Sequence, residues 1–75
     1  MATVREFPVI LMWDSADNIW NVSVPAIPGC FTWGVTLDEA LRHAEGAIDL
    51  NLEDIESRGE VIPEPQRLMI GTIRR

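Results

Sequence analysis

The chain has 75 residues, with twelve acids, six bases that are all arginine, one histidine and a net charge of −6. That length holds one domain and no second core, so residues 1–75 read as a single unit. The acidic balance argues against phosphate binding as the main task, because nucleic-acid recognition starts from a basic surface. The lone Cys30 excludes a disulfide framework, and the longest mainly apolar run, residues 7–13, is too short to cross a bilayer.

A hydrophobic fraction of 47% separates the chain from disordered sequences. No charged-apolar-small pattern marks a secretory leader, and with a single thiol this points to the cytoplasm. A core of this size is marginal, because folding buries only about 60% of so short a chain's surface. Extra stability is expected from self-association or from a partner.

Residues 3–12 read as a first strand, with Phe7, Val9 and Leu11 on one face and Pro8, Ile10 and Met12 on the other. Pro8 lacks an amide hydrogen and belongs at an edge or bulge. Asp14 to Asn18 is a polar turn whose side chains bond their own backbone. The chain returns through Ile19 to Val24, alternating Trp20, Val22 and Val24 with Asn21 and Ser23 as a half-buried antiparallel strand does. Pro25-Ala26-Ile27-Pro28-Gly29 then breaks the pairing, and Cys30 to Trp33 forms a short third strand closed by Gly34.

Thr36-Leu37-Asp38-Glu39 matches a capping box, in which the threonine hydroxyl and the Glu39 carboxylate each take an orphan amide. The helix it opens runs from Leu37 to about Ser57 or Arg58. Its apolar stripe is Leu37, Ala40, Leu41, Ala44, Ala47, Ile48, Leu52 and Ile55, interrupted by Asn51. Gly59 suits a left-handed cap. Pro63 and Pro65 prevent the helix from continuing, and Arg67 to Ile73 read as a last strand. The order strand-strand-strand-helix-strand gives an α+β fold, a small antiparallel-rich sheet with one helix packed on one face.

Chemistry is sparse. Cys30 and His43 are the only thiol and imidazole, but Cys30 follows a turn glycine where a small apolar residue packs well, and His43 falls on a polar helix flank. No catalytic residues are assigned, and the chain reads as a binding module rather than an enzyme. Asp49, Glu53 and Glu56 form a row on one helix, which does not make the concave multi-element site that metal hydrolysis uses. No metal or other cofactor is expected. Trp13, Trp20 and Trp33 lack the basic neighbours of a base-stacking platform, so they suit a core or a protein interface.

The run from Val24 to Leu41, with Pro28-Gly29-Cys30, Gly34, Thr36 and Glu39 at its centre, resembles the signature of the HicB-like antitoxins. Gly59-Glu60-Val61-Ile62-Pro63-Glu64-Pro65 is similar to a second segment of that family. The resemblance implies a partial RNase H-like fold of three antiparallel strands plus one more with one helix. It also implies a partner, a small basic RNA-cleaving toxin of the HicA-like kind. The charge agrees, since residues 37–58 hold seven acids against two arginines.

Two departures stand out. Val35 occupies a position that is usually acidic in the family, and the C-terminal DNA-binding domain of full antitoxins is not expected in residues 1–75, so no direct contact with nucleic acid is anticipated. Partner contact is assigned to Asp49, Glu53, Glu56 and Trp33. The alternative is an orphan oligomerisation or adaptor module without a toxin. A homo-oligomer, most simply a dimer, is expected in either case, sharing the edge of the third or the last strand.

Overall fold

The computed structural model describes residues 5–75. Strands β1 (Ile10–Asp14), β2 (Ile19–Ser23) and β3 (Phe31–Gly34) are followed by helix α1 (Leu37–Ser57). The sheet is antiparallel with spatial order β1-β2-β3. Leu11 faces Val22, which faces Thr32, and Trp13 faces Trp20, which faces Gly34. These rows line the face that α1 covers, because Val22 packs with Ala40 and Ala44. The alternate rows, Ile10-Ser23-Phe31 and Met12-Asn21-Trp33, therefore point away from the helix.

Each connection follows from its residues. In the first hairpin Asp14 Oδ1 accepts from the amides of Ala16 (3.0 Å) and Asp17 (3.3 Å), and Asn18 takes the left-handed conformation at φ 54° that a turn requires. Between β2 and β3 two β-turns follow each other: the Ile27 amide donates to the Val24 carbonyl and the Cys30 amide to that of Ile27. Gly29 at φ 79° occupies the third position of the second turn, where a type II turn needs positive φ.

The core lies in two adjoining patches beneath α1. Val22, Ala40 and Ala44 form one, flanked by Val9, Leu11 and Trp20; Val24, Ile27 and Cys30 form the other, flanked by Phe7, Ala47, Ile48 and Leu52. Small residues on the helix let it approach the sheet closely. Gly34 serves the same end: a Cβ there would run into the Ala40 amide nitrogen, 2.7 Å from its Cα and 2.9 Å from the Glu39 carbonyl carbon.

Thr36 caps α1, its Oγ1 accepting from the Glu39 amide at 3.1 Å. The return half of the capping box is not made: the Glu39 carboxylate lies 3.9 Å from His43 Nε2, one turn on, and takes no hydrogen bond from the Thr36 amide. At the other end Gly59, at φ 70°, donates to the Glu56 carbonyl and Glu60 to that of Ile55, closing the helix with a left-handed glycine.

Three expectations change. The first strand starts at Ile10 and runs on to Asp14, while its first residues, 3 and 4, lie outside the described residues. Continuing the register would set Pro8 against Pro25, at the point where β2 gives way to the turn, so residues 5–9 have no ladder to join. Leu37 and Leu41 stay about half exposed, because the apolar stripe outruns the short sheet beneath it. The last strand is absent from the single chain: residues 60–75 carry no regular secondary structure. Their alternation suits a strand, but nothing among the described residues pairs with them. No helix among the described residues is long and apolar enough to cross a membrane.

Candidate functional site

The two groups with nucleophile-base potential are both committed to structure. Cys30 is buried among Val24 and Ile27, and its sulfur is met at 3.7 Å by Asn51 Nδ2, which also donates to the Ala47 carbonyl at 2.7 Å. The polar interruption of the apolar stripe is thereby satisfied. Burial pushes the Cys30 thiol up, the opposite of what a nucleophile needs. His43 is exposed, and its Nδ1 lies 2.7 Å from the Trp33 carbonyl. A carbonyl only accepts, so Nδ1 carries the proton. Among the described residues no three His, Cys, Asp or Glu side chains converge to hold a metal ion.

The accessible features are broad surfaces. Asp38, Glu45, Asp49, Glu53 and Glu56 recur at intervals of seven, four, four and three, so they share one exposed stripe of α1, broken only by Arg42. Among the described residues Arg58 pairs with Asp54 (3.1 Å) and Glu60 (3.5 Å), while no ion pair engages Asp49, Glu53 or Glu56. Two open depressions flank the stripe: one of about 350 Å³ beside Asp49, lined also by Arg5, Phe7, Glu45 and Ile48, and one of about 530 Å³ beside Glu53, lined by Leu50, Asn51, Asp54 and Ser57.

Trp33 does not join these acids. Its row faces away from α1, where Ile10, Met12 and Phe31 accompany it on an uncovered sheet face. Met12 and Phe31 are 66% and 72% exposed, so this face is an apolar surface that the fold leaves open. The four residues assigned to partner contact thus fall on two sides of the molecule. Sequence reasoning missed the outer face as a unit, although the alternation in β1 already put Ile10 and Met12 together.

The remaining motif residues are architectural. Pro28 and Gly29 build the second turn, Cys30 packs beneath it, Gly34 admits the helix, Thr36 and Gly59 bound it, and Pro63 starts the extended segment beyond it.

A family model described as the HicB-like antitoxin of bacterial toxin-antitoxin systems matches residues 7–72. The chain belongs to the HicB-like antitoxin family. Its fold agrees with the crystal structure of the N-terminal domain of the Burkholderia pseudomallei antitoxin HicB, at a TM-score of 0.66 and 30% identity over 88% of this chain and 72% of that one. A UPF0150 protein of Thermoplasma acidophilum is 41% identical over 58 residues, which are 77% of this chain and 83% of that protein. An uncharacterized 14.9 kDa protein of Haemophilus phage HP1 is 44% identical over 58 residues, 77% of this chain but only 42% of the phage protein. The HicB-like family, together with three antiparallel strands under one helix, is the fold class expected from the sequence, apart from the unpaired last segment.

Proposed function

We propose that this HicB-like chain neutralises a small, basic, RNA-cleaving toxin of the HicA-like kind by protein–protein contact, with no chemistry of its own. The observation that carries the reading is the stripe of α1 in which Asp49, Glu53 and Glu56 stand exposed and without ion pairs among the described residues. Carboxylates left unpaired on a rigid element suit a basic partner, because long-range attraction speeds encounter and like charges elsewhere repel wrong partners. Membership of an antitoxin family supplies the kind of partner. The encounter belongs in the cytoplasm, where such a toxin meets RNA.

The test is calorimetric titration of a HicA-like toxin with this chain and with the Asp49→Asn, Glu53→Gln, Glu56→Gln variant. The variant is expected to bind at least tenfold more weakly at low salt and to lose most of its salt dependence. Equal affinity at low salt would remove the helix from the interface.

The adaptor reading draws on a different observation, the open apolar face of Met12, Phe31 and Trp33. It accounts for that face but leaves the charge of α1 without a purpose.

A further inference from the structure

We infer that the second half of α1, residues 46–57, is a charge-sensitive conformational device, which opens locally at low ionic strength and closes when its carboxylates are screened. The inference concerns the free chain and does not rest on the toxin reading.

The two halves of α1 stand on different ground. The first lies over the sheet: Ala40 and Ala44 pack on Val22, Gly34 lets the backbones approach, and His43 bonds the Trp33 carbonyl at 2.7 Å. The second reaches past the strands. Its Ala47, Ile48 and Leu52 pack on Val24, Ile27, Cys30 and Phe7, all of which lie outside β1, β2 and β3. Its support is turn rather than ladder, so parting from it breaks no sheet hydrogen bond, the condition for a low-cost local opening. Gly46 stands at the junction. Glycine weakens a helix relative to alanine, and no packing neighbour requires its small size here.

Charge separates the halves further. Asp38 and Glu39 sit in the first turn, where the helix dipole favours acids, and Arg42 follows them. Residues 45–57 carry Glu45, Asp49, Glu53, Asp54 and Glu56 and no base. Glu45, Asp49 and Glu53 are spaced by four residues and Glu56 by three more, so each meets a like charge one turn away. Asp54 and Glu56 also fall in the last turn, where the dipole disfavours anions and no basic residue stands.

Few side chains oppose the opening. Ile55 is buried, Asn51 Nδ2 lies 3.7 Å from the Cys30 sulfur, and Arg58 at the C-cap holds Asp54 at 3.1 Å. Both members of the Arg58 pair are more than half exposed, so it contributes little. The carboxylate repulsion acts over about 6 Å, the spacing of side chains one turn apart. Low salt leaves it in force and high salt removes most of it, so the balance of the segment turns on ionic strength.

The test is residue-resolved amide hydrogen exchange by NMR on the full chain, each rate corrected for its unfolded value. It is run at about 0.01 M and about 1 M sodium chloride, where the Debye length is about 30 Å and about 3 Å. High salt is expected to slow amides 51–57 about fivefold and to leave amides 41–45 within about twofold. The Asp49→Asn, Glu53→Gln, Glu56→Gln variant should show the slowed exchange already at low salt. Gly46→Ala, which leaves the charge unchanged, should slow the same amides yet keep their salt response. An equal salt response in both halves would mean that the whole fold tightens, and overturns the inference. So does a neutralised variant whose residues 51–57 exchange as fast as the native ones at low salt, since charge would then not be the cause.

Discussion

His43 Nδ1 donates to the Trp33 carbonyl over 2.7 Å, tying the first half of α1 to the outer edge of β3 ten residues earlier. The bond does two things: it fixes the first half of the helix against the sheet beside the Ala40–Ala44 contact, and it occupies a carbonyl that an exposed edge would otherwise present. His43→Ala is expected to lower stability by about 1 kcal/mol, the net value of one such hydrogen bond. Urea denaturation measures it. An unchanged midpoint would mean that solvent replaces the bond at no cost.

Gly34 and Gly46 make opposite predictions for the same substitution. At Gly34 a methyl group meets the backbone of Ala40 and Glu39, which cannot yield without moving the helix start. Gly34→Ala should destabilise by roughly 2 kcal/mol or more. At Gly46 a methyl group meets open space within α1, so Gly46→Ala should stabilise by about 0.5–1 kcal/mol. Thermal melts of the two variants, moving in opposite directions, check both.

The Cys30 thiol gives a pH signature. Burial raises its pKa above the ordinary 9.0, so the unfolded chain loses this proton first as pH rises. Its contribution is fully present below about pH 9 and is lost as pH climbs toward the folded value. The melting temperature should fall more steeply above pH 9 in the native chain than in Cys30→Ala, and iodoacetamide should label Cys30 only after denaturation. Rapid labelling of the folded protein would contradict the buried placement.

The boundaries of α1 were legible because their causes are local. Thr36 and Gly59 act within a few residues of themselves, and the helix runs between them. The hairpin and the Pro28-Gly29 turn were legible for the same reason. The Glu39 half of the capping box failed because the pattern fixes only which residue stands at the third helical position, while the rotamer of an exposed carboxylate is left free by it. The last segment failed for a deeper reason. Alternation in Leu68, Met69 and Ile70 specifies a strand's faces but says nothing of which edge it pairs with, and pairing is settled by distant backbone. The tie between His43 and Trp33 and the common outer face of Met12, Phe31 and Trp33 are likewise products of register, which no local pattern records.

Function rests on whether the acidic stripe of α1 silences a basic ribonuclease. The decisive measurement is cleavage of RNA by a HicA-like toxin titrated with the native chain and with the Asp49→Asn, Glu53→Gln, Glu56→Gln variant. Cleavage is expected to stop as the native chain reaches molar equivalence with the toxin, and to need at least tenfold more of the variant, the factor worth about 1.4 kcal/mol of lost binding. Undiminished cleavage in tenfold excess of the native chain would contradict the antitoxin assignment, and equal potency of the variant would contradict the role given to Asp49, Glu53 and Glu56.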